Sequence, residues 1–141
     1  MKPFGPLALC ASALILPGLA LAQEAGSAAS TASAGVYTAA QAERGQAQYS
    51  QVCAACHGED MGGIDVAPPL TGTTFSGNWK GQTAAALANR IRTTMPLNNP
   101  GTLGIAASAD VTAYVLSKNG YPAGQAELPK EPSRLQQIKL D

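Results

Sequence analysis

The chain has 141 residues, with nine Lys and Arg balancing nine Asp and Glu, one His and three Cys. That length bounds it to one domain with extensions. An even charge without a basic stripe excludes nucleic acid as a partner. Ala inflates the apolar fraction, and large core side chains are few. A small domain of this kind needs a staple or a large apolar group to complete its core.

The start, MKPFGPLALCASALILPGLALAQ, has one Lys, an apolar run and a small-x-small end at Ala20-Leu21-Ala22. This is the layout of a secretory signal peptide over 1–22, cleaved after Ala22. Pro17 and Gly18 interrupt the run, which falls short of a bilayer span. Leu9 is too large for a lipoprotein cleavage site before Cys10, so Cys10 is expected to leave with the signal. Without Lys2 the remainder carries one more acid than base. Residues 23–36 are Ala, Ser and Gly rich and read as a flexible linker.

A folded body is expected over 37–124. Thr38 and Gln41 have capping-box spacing, and the pattern predicts a helix from Ala39 to Ala54. Gly45, Tyr49 and Val52 share one face of it. Gly and Pro then predict a loop over 59–79 with at most one helical turn. Thr83 caps a second helix, AAALANRIR, which stops before Met95-Pro96 because the residue preceding Pro is pushed out of the α region. Ser108 is read as the cap of a third helix, ADVTAYVLSK, closed by Asn119-Gly120 and Pro122. No period-2 run is evident, so the fold class is all-α. Loops this long suit a compact domain only if they wrap something. The stretch 125–141, with Pro129 and Pro132, reads as an extended tail.

QVCAACHGED, residues 51–60, gathers Cys53, Cys56 and the single histidine, His57. A thioredoxin-like dithiol needs a βαβ setting that this chain does not have. Tetrahedral zinc needs four ligands, and the soft ligands end at three. Cys-x-x-Cys-His also matches covalent attachment of one c-type haem, with two thioethers on the porphyrin edge and His57 on the iron. The pattern favours this reading. It asks for a ligand on the opposite face. Met1 leaves with the signal and Met61 lies too close to His57 to cross the ring. Met95, on a Pro-bounded turn, is the candidate. His57/Met95 ligation raises the reduction potential and closes the iron to small ligands, which favours electron transfer over peroxide chemistry.

On QVCAACHGED, APPLTG (67–72), TTMPLNNPG (93–101) and DVTAYVLSKNGYP (110–122), the chain resembles small bacterial class I cytochromes c over about residues 38–122. The resemblance implies three to four helices wrapped around the haem. It implies that Gly45 and Tyr49 let the terminal helices cross against Val111 and Tyr114. It also implies that the Pro68 carbonyl holds the second nitrogen of His57 and that Leu70 packs on the porphyrin. Trp79 is either a donor to a haem propionate or a core residue. Arg90 and Arg92 are either further partners of the propionates or a solvated helix face, and the second reading is favoured.

MPLNNPGTL and NGYPAG are most similar to cytochrome domains fused to, or partnered with, quinoprotein (PQQ) dehydrogenases, although no dehydrogenase domain accompanies them here. The implied role is a periplasmic, monomeric electron carrier that is not itself an enzyme. It takes electrons from a dehydrogenase and passes them to an oxidase or another cytochrome. The alternatives are a tightly bound dehydrogenase subunit and a haem peroxidase or sensor. The body has only Lys80 and Lys118, so weakly salt-sensitive docking is expected.

Overall fold

The computed structural model describes Met1 and residues 30–65 and 67–141. The signal peptide, Cys10 and most of the linker lie outside the described residues. The described chain is mainly helical, as expected, but it carries six helices where three to four were read. The additions are short pieces whose signals are tertiary.

Helix α1 spans Ala39–Val52, and the Thr38 hydroxyl accepts the Gln41 N–H at 3.1 Å. Only half of the expected capping box forms. The Gln41 side chain turns inward, fully buried. It donates to the Leu128 carbonyl at 3.1 Å and accepts the Leu128 N–H at 2.6 Å. A buried amide that meets both backbone groups of a distant residue is worth more than a solvated cap. The helix also stops two residues before the predicted end, because Cys53 starts a new turn, α2, over Ala54–His57.

Helix α3 covers Gly72–Trp79, where the glycines had predicted loop. Burial of Phe75 anchors it. Helix α4 is Ala84–Thr94, with the Thr83 hydroxyl accepting the Ala86 N–H at 3.2 Å. Helix α5 is Ile105–Lys118 and begins one turn before its predicted cap. Gly104 is the cap. Ser108 is buried and donates back to the Ile105 carbonyl at 2.9 Å, as serine inside a helix does. Helix α1 packs chiefly on α5. Gly45 permits the crossing, since a Cβ there would lie 1.9 Å from the Asp110 carbonyl oxygen. Tyr49 and Tyr114 meet edge to face at 5.4 Å across the same interface.

The stretch expected to be an extended tail is part of the core. Leu128, Leu135, Ile138 and Leu140 are all buried. Pro132 stands at the start of a short helix, α6, Pro132–Leu135, where its missing N–H costs nothing. Strand β2, Ile138–Lys139, pairs in parallel with β1, Ser30–Thr31, in the register Ser30 to Ile138. Its other edge meets the entry to α4, where Leu140 donates to the Gln82 carbonyl at 2.9 Å. Ala32 is fully buried, so the end of the supposed linker joins the core as well. Four apolar residues without a period do not announce an element. Their burial is decided by the surface that receives them.

Candidate functional site

The turn from α1 into α2 sets the geometry. The Cys53 N–H donates to the Tyr49 carbonyl at 2.8 Å, and the Cys53 carbonyl accepts from His57 at 2.9 Å. One helical turn therefore separates Cys53 from Cys56 and His57, which puts all three on neighbouring positions of one side. Cys53 is half-buried, Cys56 exposed and His57 buried. Neither cysteine is in a disulfide. Burial first, and the Cys56 sulfur second, push the Cys53 thiol up to about 11. A thiol held protonated at neutral pH is a poor redox nucleophile. Among the described residues no group of three or more His, Cys, Asp and Glu side chains is placed to hold a metal ion.

After His57 the chain folds back under the imidazole. The Gly63 N–H donates to the His57 carbonyl at 2.9 Å and the Leu70 N–H to the Met61 carbonyl at 2.9 Å. Gly63 has φ +81°, and a Cβ there would sit 2.5 Å from the Ala67 carbonyl oxygen, so the turn requires glycine. This return brings the Pro68 carbonyl to 3.0 Å from His57 Nδ1. Nδ1–H then donates to that carbonyl, and Nε2 is left as the ring nitrogen with a free lone pair.

The other candidates lie on different elements. Leu70 and Trp79 are half-buried against the core, at the end of the return loop and the end of α3. Met95 is half-buried and caps α4 in an extended conformation, its N–H donating to the Ile91 carbonyl at 3.1 Å. Met61, set aside in the sequence reading, is fully buried in the core. Arg90 is exposed, and Arg92 donates to the Asn89 side chain at 3.0 Å.

Two supports of the site were missed. The Tyr49 hydroxyl donates to the Gly58 carbonyl at 2.7 Å, tying α1 to the residue after His57. Asn119 donates to the Leu70 carbonyl at 2.9 Å and to that of Val115 at 2.8 Å, tying the end of α5 to the return loop. Asn119 had been read as a helix stop. Nothing in its sequence context points to a bond with Leu70, 49 residues away.

These residues fit a c-type haem. Two thiols lie one turn apart, an adjacent imidazole keeps Nε2 available, and half-buried Leu70, Trp79 and Val52 border the core. Residues 40–115, more than half of the chain, match the family model described as cytochrome c oxidase, cbb3-type, subunit III. The chain belongs to that family, as a cytochrome c domain that binds one covalent haem and whose work is haem-based electron transfer. No curated protein sequence matches it. Among solved structures it is similar to a chain of the sulfane dehydrogenase SoxCD from Paracoccus pantotrophus. Identity is 21% and the TM-score 0.51, over 94% of this chain and 68% of that one. Likeness at that identity concerns the fold alone.

Proposed function

We propose that the chain is a single-electron carrier whose haem iron is held by His57 Nε2 and Met95 Sδ, with thioether bonds to Cys53 and Cys56. The observation that carries this reading is the Pro68 carbonyl 3.0 Å from His57 Nδ1, which fixes the tautomer that a ligand imidazole needs. A bound haem supplies a reversible Fe(III)/Fe(II) couple. The chain does the rest. Pro68 orients and enriches the imidazole. Leu70 and Trp79 exclude water from the ring. Met95, at the cap of α4, would supply a thioether ligand to the iron, which raises the potential and leaves small ligands no open site.

The start of the sequence supports export to the periplasm through a signal peptide over 1–22. Among the described residues no helix is long and apolar enough to cross a membrane. The partners of this reading are a periplasmic dehydrogenase as donor, of the quinoprotein kind by sequence likeness, and an oxidase or second cytochrome as acceptor. A permanent cytochrome subunit of a dehydrogenase is the second reading, favoured by the likeness to a sulfane dehydrogenase chain. Co-purification from the native source separates the two.

The test is the optical spectrum of the haem-loaded chain beside Met95→Ala. Loss of the weak red-end band of the oxidised protein in the variant is the expected result. An unchanged spectrum removes Met95 from the iron and returns open-site chemistry to the lead.

A further inference from the structure

Between the outer face of α4, the first turns of α5 and residues 130–136 lies a cleft of about 330 Å³. Its floor is small and apolar, with Ala85, Ala88 and Ala109 on the helices and Leu135 on the tail. Its charged lining is of one sign: Arg92 on α4 and Lys130 on the tail, with no acid. Among the described residues neither cation is in an ion pair, while the acids closest to them in sequence are engaged. Glu131 pairs with Arg134 at 3.8 Å, and Glu127 and Asp110 pair with Arg44 at 2.7 and 3.1 Å. Ile105, 51% exposed, also lines the cleft.

Two features link the cleft to function. One wall of it, Lys130, Pro132, Leu135 and Gln136, lies beyond the matched segment 40–115, so a segment outside the cytochrome match completes the cleft. Arg92 stands in the last turn of α4, whose cap is Met95. An occupant of the cleft is therefore anchored within one turn of the proposed iron ligand.

We propose that this cleft docks an acidic segment of a partner redox protein, with carboxylates on Arg92 and Lys130 and one aliphatic side chain on the alanine floor. That the partner is a redox protein rests on the carrier reading above; the chemistry of the segment rests on the cleft alone. The volume admits one or two side chains, not a folded domain. Such charge pairs bind weakly and are screened by salt, so docking through this cleft is more salt-sensitive than Lys80 and Lys118 alone led one to expect, and a weak contact suits a partner that must turn over.

The probe is a synthetic peptide, Ac-Glu-Leu-Glu-Glu-Leu-Glu-NH2, titrated into the haem-loaded, reduced, isotope-labelled full chain and followed by NMR. Shifts are expected to gather at Ala88, Asn89, Arg92, Ile105 and Lys130, and to fade between about 0.02 M and about 0.5 M salt. The double variant Arg92→Glu/Lys130→Glu is expected to weaken binding about tenfold or more. If that variant does not fold, the exposed single Lys130→Glu is read instead, with a loss of about threefold or more. Equal binding of the lysine counterpart of the peptide overturns the proposal. So does an absence of shifts at the cleft, or an affinity that the variants leave unmoved. The reduced haem spectrum is recorded on every sample. A parent chain that does not bind the peptide although its haem spectrum is intact refutes the cleft alone, whereas a Met95→Ala spectrum identical to the parent's refutes the ligation reading alone.

Discussion

Replacing Gly45 by alanine sets two effects of opposite sign against each other. In the interior of an exposed helix the exchange gains about 1 kcal/mol from propensity. At Gly45 the new Cβ falls 1.9 Å from the Asp110 carbonyl oxygen, 2.5 Å from its carbon and 2.9 Å from Tyr114 Cβ. An ordinary carbon–oxygen contact is about 3.3 Å, so α1 and α5 have to part by about 1.4 Å along that line. Two of the three atoms are backbone and cannot rotate away. The separation also loosens the edge-to-face contact of Tyr49, 1% exposed, with Tyr114, 7% exposed. Overpacking costs about 1–3 kcal/mol and occasionally more, and a backbone clash at the main helix crossing belongs at the top of that range. Set against the propensity gain, the net loss is about 2–3 kcal/mol. For a domain of this size that lowers Tm by roughly 10–20 °C. Gly77 in α3 is the internal control, because nothing lies within 4 Å of a Cβ there, and Gly77→Ala is expected to hold or raise Tm. Thermal unfolding of the haem-loaded proteins by far-UV circular dichroism reads both. A Gly45→Ala protein that melts at or above its parent would refute the close-crossing argument.

Gln41→Leu strips the buried Leu128 N–H and carbonyl of their partner. An expected loss of about 2–4 kcal/mol in urea unfolding, with earlier proteolytic release of residues 125–141, would be read together by midpoint and fragment mass. Tyr37 is 3% exposed, and burial raises its phenol above the ordinary 10.0. The stability this group contributes is therefore fully present below about pH 10 and is lost as pH rises beyond it. Tyr37→Phe should flatten the alkaline fall in unfolding midpoint; an equally steep fall removes Tyr37 as its source. Asn119→Leu leaves the Leu70 carbonyl without its donor. The expected result is a loss of about 1–2 kcal/mol with a shifted reduction potential, and an unmoved potential would mean that Leu70 is held without Asn119.

Much of the site was legible in the chain because its signals are local. Cys53, Cys56 and His57 need one helical turn and nothing more to stand together. The Thr38 and Thr83 caps, and the stop at Asn119-Gly120, bond within a few residues of themselves, so spacing alone locates the body of the helices they bound. The all-α class follows from those periods.

The tertiary structure decided what depends on distant surfaces. Gln41 could have closed its own cap, and the presence of Leu128 drew its amide inward. Residues 125–141 hold four apolar side chains at irregular spacing, which predict nothing until α4 and β1 offer them a face. Pro68 reaches His57 only because the loop between them reverses at Gly63. Hydrogen bonds and burial across tens of residues are set by how whole helices pack, and a local pattern carries no record of that packing.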